Sequence, residues 1–503
     1  MRINELIRQS GIVKAALKLE DFAVAGLSCN SKAVRDGFVF VAVKGAAKDG
    51  HEFIREAIEN GARVVIAQSG VRGQGTAPDC IGTIGVPLTA GGDRVPVIRV
   101  KDTRQTLGKL AACLYGNPAK QVKAVGVTGT NGKTTVTYLI EAILQEAGRP
   151  CGVIGTINYR FQDSVLPSTN TTPGPLELQS MLAGMLKSGI QYCVMEVSSH
   201  ALDQQRTAGM EFCSAVFTNL AQDHLDYHKK ISDYFLAKAK LFSGLRRDAV
   251  AVLNSDDKFY PELRKLTQAK IFSYGIKKDA RFRAKEIRFS ASGTEFTLSG
   301  GERSVRLKSG LIGRHNVYNI LAAAAWALAE GIGPLAIKSA VEKLVFVSGR
   351  LERINPGGNF AVFVDYAHTE DALKNILISL RQISDGRIIV VFGCGGDRDK
   401  SKRPKMGRVV SRLADYAIIT NDNPRGEEPI DIIRDIERGM IRDNYYVIPD
   451  RAEAIRKSLS IARRGDIVLV AGKGHESYQI VKDKSFLFDD REVARECLKL
   501  MSS

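Results

Sequence analysis

Short apolar runs alternate with helical patterns along most of the chain. The runs lie at residues 122–128, 192–197, 215–219, 250–254, 360–365, 388–393, 417–421 and 467–471. A short apolar run bounded by turn-forming residues is typical of a buried strand. Strands that alternate with helices in this way form largely parallel sheets. The pattern therefore predicts an α/β protein with two doubly wound units.

Changes in this pattern divide the chain into three predicted domains. The first 100 residues mix strands with a glycine-rich stretch at residues 69–94, which we interpret as a surface loop. A second change follows the alanine-rich helical segment at residues 319–330. We expect a smaller N-terminal α/β domain at residues 1–100, a central parallel-sheet domain at 101–347 and a C-terminal Rossmann-like domain at 348–503.

The strongest local signal is the sequence GVTGTNGKTT at residues 126–135, which follows an apolar run and opens a helical pattern. Its glycines let backbone N–H groups surround an anion, and the N-terminus of the next helix adds positive potential. Lys133 can reach the terminal phosphates, and Thr134 can bind magnesium. Val127 stands where the usual P-loop has glycine, so this is a variant loop. The central domain is therefore a predicted P-loop ATPase, whose nucleotide loop comprises Gly129, Thr130, Asn131, Gly132, Lys133, Thr134 and Thr135.

Two hard or borderline metal ligands follow apolar runs downstream of this loop. Glu196 ends one run, and His224 follows another. Ligand sites in open α/β sheets lie beyond the carboxyl ends of the strands, so both side chains could converge on the nucleotide. Magnesium prefers oxygen ligands, which suits Glu196 and Thr134 better than His224. Taken singly, each residue is also explained as a polar side chain that ends a strand.

Charge and a second glycine cluster raise two other classes of protein. The net charge is +17, but the basic residues are dispersed. Aromatic residues make up only 7% of the chain, so few side chains are available to stack on the bases of a nucleic acid. The same charge attracts phosphates and carboxylates. The sequence GCGGDR at residues 393–398 begins like a dinucleotide fingerprint but has arginine at its sixth position. We expect no nucleic-acid partner, and a nicotinamide-dependent oxidoreductase is the weaker alternative.

Composition also bears on the compartment. No apolar run reaches 18 residues, and the charged N-terminus resembles neither a signal peptide nor a membrane anchor. The eight cysteines are scattered without a Cys-x-x-Cys pair, which is typical of reduced thiols. We expect a cytoplasmic monomer that does not insert into a membrane.

Together these motifs resemble the Mur ligase family, and within it the branch that forms the muramoyl tripeptide. The resemblance extends over nearly the whole chain and includes the phosphate loop and residues 170–174, 196–206, 218–228, 365–373, 393–404 and 422–425. It implies three domains that bind a uridine nucleotide, ATP and an amino acid, in that order. The implied reaction joins meso-diaminopimelate to UDP-N-acetylmuramoyl-L-alanyl-D-glutamate through an acyl phosphate, with ATP and two magnesium ions.

The resemblance also implies roles for single residues. The muramoyl dipeptide would be held by Asn170, Thr171, Thr172, Ser198, Gln204 and Arg206. The uridine end would be contacted by Ser31, Ala46, Ala47 and Lys48. This chain has Asn-Ser-Lys at residues 30–32, where the family commonly has Asp-Ser-Arg. The nucleotide would be contacted by Asn316 beside the adenine, and by Arg350 and Asp365 at the hinge to the C-terminal domain.

Lys238 resembles the family lysine that reacts with carbon dioxide to form a carbamate. This reaction would convert a cation into an oxygen-donor anion able to support a second magnesium ion. Lys238 and Lys240 are two residues apart on a predicted helix, so only one can face the site, and the motif selects Lys238. The implied catalytic residues are Lys133, Glu196, His224 and Lys238. The implied metal ligands are Thr134, Glu196, His224 and carbamylated Lys238.

The sequence DNPR at residues 422–425 resembles the family variant that accompanies meso-diaminopimelate, whereas lysine-adding relatives generally lack its arginine. Diaminopimelate carries a second carboxylate at its far end, which a guanidinium can pair with. The implied amino-acid pocket comprises Arg398, Asp422, Asn423, Pro424, Arg425, Gly472 and Glu476. The alternatives are an L-lysine-adding Mur ligase, a folylpolyglutamate-type ligase and a non-enzymatic basic binding protein.

Overall fold

The computed structural model describes residues 1–12, 19–45, 48–69, 81–83, 95–290, 292–300, 303–354 and 358–502. Three sheets of five, eleven and six strands follow one another along the chain, and a two-stranded hairpin lies near its end. Helices pack against each of the three sheets. The predicted α/β fold with three domains is confirmed.

The N-terminal sheet has the strand order β1-β2-β3-β5-β4 and is parallel except for β4, which runs antiparallel to β5. Its strands are β1 (Gly26–Ser28), β2 (Phe38–Val41), β3 (Ala62–Gln68), β4 (Ile81–Thr83) and β5 (Pro96–Val100). Its helices are α1 (Ile3–Ser10), α2 (Ile54–Glu59) and α3 (Thr103–Leu114), with short 3-10 turns at Ser31–Ala33 and Gly50–Phe53. The loop interpretation of residues 69–94 is wrong at β4, while residues 70–80 and 84–94 lie outside the described residues.

The central sheet has seven parallel strands, extended by antiparallel strands at both ends. Its order is β16-β15-β14-β13-β12-β11-β6-β10-β7-β8-β9. The strands are β6 (Lys123–Thr128), β7 (Cys151–Ile154), β8 (Asn158–Phe161), β9 (Ser164–Pro167), β10 (Tyr192–Glu196), β11 (Phe212–Phe217), β12 (Val250–Asn254), β13 (Lys270–Gly275), β14 (Phe282–Ser290), β15 (Gly293–Gly300) and β16 (Arg303–Ser309). The four predicted strands of this region are confirmed, whereas the parallel strands β7, β13 and β14 and the antiparallel strands were not predicted.

Helices cover both faces of the central sheet. They are α4 (Lys133–Glu146), α5 (Pro175–Lys187), α6 (Ser199–Asp203), α7 (Leu225–His228), α8 (Ile231–Ser243), α9 (Tyr260–Leu266), α10 (Arg314–Ala329) and α11 (Pro334–Lys343), with a 3-10 turn at Pro118–Lys120. The apolar stripe of α4 includes Leu139, Ile140 and Ile143, each fully buried in the core shared with α10 and α11. Each such side chain stabilises the fold by about 1.5–3 kcal/mol. This packing holds the N-terminus of α4 at the carboxyl edge of the sheet.

The C-terminal sheet has the order β17-β18-β22-β19-β20-β21 and is parallel except for β17. Its strands are β17 (Glu352–Arg353), β18 (Ala361–Asp365), β19 (Ile388–Phe392), β20 (Tyr416–Ile419), β21 (Tyr445–Val447) and β22 (Ile467–Ala471), followed by the hairpin β23 (Tyr478–Val481) and β24 (Lys484–Leu487). Its helices are α12 (Glu370–Arg381), α13 (Lys402–Leu413), α14 (Pro429–Glu437), α15 (Arg451–Ser460) and α16 (Asp490–Ser502). Loops after the parallel strands β18, β19, β20 and β22 therefore meet at one edge.

Helix α3 contacts both of the first two domains. Leu107 and Leu110 are buried in the N-terminal core with α1. On the same helix, Gly108 lies so close to the backbone of Ala208 in the central domain that a side chain would overlap it. Because α3 packs against both the N-terminal and the central domain, the boundary at residue 100 stays a prediction. The boundary at residue 347 also stays a prediction.

Two further observations concern thiols and membranes. The seven cysteines in the described part of the chain are all free, while Cys80 lies outside it. Among the described helices, none combines the length and apolarity that crossing a membrane requires.

Candidate active site

The phosphate loop joins β6 to α4 and turns at two glycines with positive φ. The φ angles are 151° at Gly129 and 88° at Gly132. A side chain at Gly129 would overlap the hydroxyl of Thr218, and one at Gly132 would overlap the amide oxygen of Asn319. Backbone conformation and space therefore both require glycine at these positions.

Two lysine ammonium groups donate to the same loop carbonyl. Lys133 Nζ and Lys238 Nζ each lie 2.9 Å from Gly129 O, and Lys133 also donates to Thr130 O at 2.9 Å. Lys133 begins α4, whereas Lys238 reaches the loop from α8. Two like charges at one oxygen repel each other, so this arrangement favours the loss of one charge or the arrival of an anion.

Lys238 is the buried member of its pair on α8. Its side chain is 1% exposed and lies over the ring of Tyr234 at 4.6 Å, whereas exposed Lys240 pairs with Asp203 Oδ1 at 3.0 Å. Only one of the two faces the loop, as their two-residue spacing predicts. Burial lowers the pKa of Lys238 well below its ordinary value, and the charge of Lys133 lowers it further. Both effects shift Lys238 toward the neutral amine relative to an exposed lysine.

Glu196 ends β10 beside the phosphate loop as a buried carboxylate. It is 1% exposed and accepts hydrogen bonds from Thr134 Oγ1 at 2.9 Å, Thr156 N at 2.9 Å and Thr156 Oγ1 at 3.0 Å. No ion pair of Glu196 within 4.0 Å exists among the described residues. A buried carboxylate that neighbours the P-loop threonine and lacks a cation is suited to a divalent metal ion.

His224 lies at the N-terminus of α7 in a left-handed conformation, with φ of 55°. Its Nε2 is 3.3 Å from Asp223 Oδ2, and its ring contacts His200 edge to face at 4.7 Å. Burial lowers the pKa of His224 to about 3, against the opposing charge of Asp223. A neutral imidazole is the form that binds metals. In the described part of the chain, no three His, Cys, Asp or Glu side chains are grouped to hold a metal ion.

The residues predicted to hold the dipeptide form one hydrogen-bonded cluster. Arg206 donates to Thr172 O at 3.1 Å and, through Nε and Nη2, to Gln204 Oε1 at 3.0 and 2.8 Å. Thr172 Oγ1 donates to Glu196 O at 2.9 Å and accepts from Ser198 N at 3.0 Å. The cluster therefore adjoins the predicted metal ligand.

Asn170 and Thr171 lie next to this cluster. Asn170 N donates to Tyr159 OH at 3.0 Å, and the Tyr159 hydroxyl donates back to Asn170 O at 2.5 Å. The hydroxyl of Thr171 is 3.1 Å from that of Thr156, which also donates to Glu196. The side chain of Asn170 is exposed, so it is accessible to a ligand.

Arg350 connects the C-terminal domain to the phosphate loop. Its Nη2 donates to Thr134 Oγ1 at 2.9 Å, and its guanidinium lies over the Tyr366 ring at 4.7 Å. The hydroxyl of Tyr366 in turn donates to Glu476 Oε1 at 3.4 Å. A continuous set of contacts thus joins the P-loop threonine to the predicted amino-acid pocket.

The carboxylate of Asp365 is held by two backbone N–H groups, one of which belongs to the residue after Arg350. It accepts from Leu351 N and Ala367 N, each at 2.6 Å. Burial raises the pKa of Asp365 to about 6, against the charge of Arg350. In this arrangement Asp365 fixes the backbone that directly follows Arg350.

Asn316 is buried on α10 and reaches the phosphate loop through a second asparagine. Its Nδ2 donates to Ile312 O at 2.9 Å, and its Oδ1 accepts from Asn319 Nδ2 at 2.9 Å. The other amide atom of Asn319 lies against Gly132. Asn316 is therefore adjacent to the nucleotide loop through this pair.

The DNPR segment is held between a glycine loop and the C-terminal hairpin. Arg425 adopts φ of 51°, and its Nη1 donates to Gly396 O at 2.9 Å. Its backbone N–H donates to Ile480 O at 3.2 Å, and its carbonyl accepts from Lys482 N at 2.7 Å. Both the backbone and one guanidinium nitrogen of Arg425 are therefore fixed, which leaves the other nitrogens available to a carboxylate.

The remaining pocket residues lie on neighbouring loops. A side chain on Gly472 would lie 2.5 Å from Asp422 Oδ2, and one on Gly396 would overlap the carbonyl of Pro424. A Cβ on Gly395 would lie 2.8 Å from Arg425 Nη1 and 3.8 Å from Cγ of exposed Arg398. The loops therefore pack closely enough to place both arginines at one edge.

At the predicted uridine end, Ser31 Oγ donates to Glu56 Oε2 at 2.6 Å. Asn30 Oδ1 accepts from Lys32 N at 3.2 Å, a capping role that an aspartate could equally fill. Lys48 is exposed, while Ala46 and Ala47 lie outside the described residues.

Sequence reasoning missed two residues of the site. Thr156 makes two hydrogen bonds to Glu196, and Lys473 lies buried between Asn423 and Glu476. Thr156 follows β7 at the same sheet edge as Glu196, so its position after a strand was an available signal. Lys473 stands between two residues that the motif had already selected.

The family is established by comparison with known proteins. Family models match residues 23–115 as the Mur ligase family catalytic domain, residues 127–327 as the Mur ligase middle domain, and residues 349–474 as the Mur ligase glutamate ligase domain. The chain therefore belongs to the Mur ligase family, a class of ATP-dependent amide-forming ligases. This membership excludes the oxidoreductase and non-enzymatic alternatives.

Two relatives that are similar over nearly the whole chain carry the same enzyme name. The UDP-N-acetylmuramoyl-L-alanyl-D-glutamate--2,6-diaminopimelate ligase of Syntrophomonas wolfei is 43% identical over 504 residues, covering 99% of each chain. The ligase of the same name from Bacillus velezensis is 43% identical over 500 residues, covering 98% of each chain. A solved structure with this enzyme name has a TM-score of 0.65 at 32% identity and covers 95% of each chain.

Proposed function

We propose that the protein joins meso-diaminopimelate to UDP-N-acetylmuramoyl-L-alanyl-D-glutamate at the expense of ATP. The observation that carries the proposal is the set of contacts from Thr134 through Arg350 and Tyr366 to Glu476. These contacts bring the phosphate loop next to the loops that hold Arg425. A nucleotide and an amino acid bound at the two ends can then serve one condensation.

The proposed reaction has two steps, phosphorylation of a carboxylate and capture of the acyl phosphate by an amine. A carboxylate oxygen of the D-glutamyl residue attacks the γ-phosphorus of ATP, and ADP leaves with the bond electrons. The amine of diaminopimelate then attacks the acyl phosphate carbon, phosphate leaves and the amine loses a proton. Lys133 and the loop N–H groups neutralise charge on the transferred phosphoryl group, so the protein contributes mainly positioning and electrostatics. Closure of the domains would keep water from the acyl phosphate, and the contact of Arg350 with Thr134 joins the C-terminal domain to the phosphate loop.

Magnesium would be held by Thr134, Glu196, His224 and a carbamate on Lys238, and it would neutralise phosphate charge. The buried carboxylate of Glu196, free of ion pairs in the described part of the chain, supports this assignment. The two ammonium groups at Gly129 O support the carbamate. The neutral amine of Lys238 would attack carbon dioxide, form an N–C bond and lose a proton, so an anionic carbamate would lie beside the Lys133 ammonium.

Activity should therefore depend on carbon dioxide. In buffer depleted of carbon dioxide we expect kcat to fall about tenfold, which is about 1.4 kcal/mol, and to recover when bicarbonate is added. The independent measurement is a carbamate resonance in ¹³C NMR after exchange with labelled bicarbonate. Lys238→Ala should lack this resonance, whereas Lys240→Ala, on the exposed side of α8, should retain it. Unchanged activity together with no resonance in the wild type would contradict the carbamate.

A substrate panel tests the proposed function. Purified protein is incubated with ATP, the uridine-linked dipeptide and either meso-diaminopimelate or L-lysine, and a folate with L-glutamate serves as the third arm. We expect ADP release and a product of tripeptide mass only with the dipeptide and diaminopimelate. Preference for lysine would favour the lysine-adding alternative, and turnover of the folate would favour the folylpolyglutamate-type ligase.

We also propose that the enzyme acts in the cytoplasm as a monomer. Both ATP and nucleotide-linked precursors are cytoplasmic substrates. Sedimentation at the mass of one chain would support the monomer, and a stable dimer would contradict it.

A further inference from the structure

A buried ammonium group lies beneath the predicted amino-acid pocket. Lys473 is 0% exposed and follows β22 between Gly472 and Gly474, which have φ of 121° and 56°. Its Nζ donates to Asn423 Oδ1 at 3.0 Å and lies 3.5 Å from Glu476 Oε2. Burial of a charge is costly unless it is paired and hydrogen-bonded. These two partners are therefore what makes a cation tolerable at this position.

The ammonium group determines how the Asn423 amide is oriented. Asn423 Oδ1 accepts from Lys473 Nζ and from Ile480 N at 2.9 Å, while Nδ2 donates to Glu476 Oε2 at 2.8 Å. An ammonium and a backbone N–H are donors only, so the amide oxygen must face them. The amide NH₂ group is thereby directed at Glu476. Asn423 is only 2% exposed, so its side chain is occupied within the protein.

This arrangement engages one carboxylate oxygen of Glu476 more strongly than the other. Its Oε2 is engaged by Asn423 and Lys473, and among the described residues Oε1 has only the long contact to Tyr366 OH at 3.4 Å. Burial and the charge of Asp422 raise the pKa of Glu476, whereas the charge of Lys473 lowers it. The other ionisable groups that interact electrostatically with this carboxylate are Tyr366, Tyr478 and Arg451. Lys473 is thus the cation nearest to the carboxylate.

We propose, on the basis of the proposed function, that Lys473 is a positioning residue for an ammonium group of the incoming amino acid. It holds Asn423 and Glu476 so that Oε1 of Glu476 remains ionised and directed to the pocket. Lys473 itself does not contact the amino acid. The class of ligand is an aliphatic amine whose ammonium pairs with Glu476 while its far carboxylate pairs with Arg425.

The first test is kinetic. Lys473→Met preserves side-chain length and removes the charge, so KM for meso-diaminopimelate should rise about tenfold, while kcat and KM for ATP change by less than about twofold. Lys484→Met, at an exposed lysine of the hairpin that follows Lys473 in the chain, is the matched control and should leave all constants unchanged. Equal KM values for the amino acid in the variant and the wild type would overturn the inference.

The second test separates positioning from a merely structural role. Protonation of Glu476 raises KM for the amino acid as pH falls, and loss of Lys473 raises the pKa of Glu476. The rise in KM should therefore begin about one pH unit higher in Lys473→Met than in the wild type. The double variant with Glu476→Gln should lack this acid-side rise. A KM raised by the same factor at every pH would instead mean a structural role and would overturn the inference.

A second variant covers the case in which Lys473→Met does not fold. Asn423→Asp keeps the oxygen that faces Lys473 but places a carboxylate against Glu476, which should shift the acid-side rise in the same direction. No shift in this variant would overturn the inference. Failure of the wild type to ligate diaminopimelate would refute the proposed function, whereas an active wild type with unshifted variants would refute the role of Lys473 alone.

Discussion

Replacement of Arg425 by alanine should lower kcat/KM for meso-diaminopimelate by about 10²- to 10³-fold and leave KM for ATP almost unchanged. The guanidinium is held through Nη1 by Gly396 O at 2.9 Å, so its other nitrogens are already oriented for the far carboxylate. Alanine retains a Cβ and therefore does not alter the strain of the positive φ at this position. The measurement is steady-state kinetics with the amino acid varied at saturating ATP and uridine-linked dipeptide.

Two variants make this result specific. Arg425→Lys keeps the charge but not the planar fork, so it should recover only part of the loss. Arg408→Ala, at an exposed position of α13, should behave as the wild type. Because L-lysine has no second carboxylate, any residual activity with lysine should be unaffected by Arg425→Ala. An unchanged ratio of kcat/KM between the two amino acids would refute the assignment of Arg425.

Replacement of Lys133 by methionine should lower kcat by about 10²- to 10³-fold, whichever amino acid is supplied. Lys133 Nζ is anchored by Gly129 O and Thr130 O, each at 2.9 Å, at the N-terminus of α4. This position places its charge where a terminal phosphate would bind. Methionine preserves the length of the side chain and removes only the ammonium, so the loss measures electrostatic stabilisation of phosphoryl transfer. The measurement is single-turnover formation of ADP.

The control for Lys133 is an exposed lysine of the same domain. Lys265→Met, on α9, should retain full activity because its side chain is exposed. Binding of a fluorescent ATP analogue distinguishes loss of chemistry from loss of nucleotide, and circular dichroism verifies the fold. Full turnover by Lys133→Met would exclude the phosphate-loop assignment.

The sequence pattern located the strands that are buried at every position well and the partly or wholly exposed strands poorly. The predicted strands at residues 250–254 and 467–471 have the same bounds as β12 and β22. Both are buried on both faces, so each is a continuous apolar run. By contrast, β9 is exposed along its whole length and β8 is only partly buried. Their composition does not distinguish them from loops, which is why these two strands were missed.

Local motifs likewise identified the phosphate loop and the DNPR segment, because glycine, lysine and arginine act there within a few consecutive residues. The surroundings of Glu196 could not be predicted in this way. Its partners Thr134 and Thr156 are 62 and 40 residues away along the chain. They meet only because β6, β7 and β10 are neighbours in the sheet.

The sequence by itself determined the alternation of strands and helices, the phosphate loop and the family resemblance, since each depends on the spacing of residues along the chain. Only the tertiary structure decided which polar side chains are occupied by the protein and which face a ligand. Asp365 is engaged by backbone N–H groups, and Lys473 is buried against Asn423. The physical reason is that a buried polar group must find a partner, and that partner comes from whichever loop the packing of the sheet brings beside it.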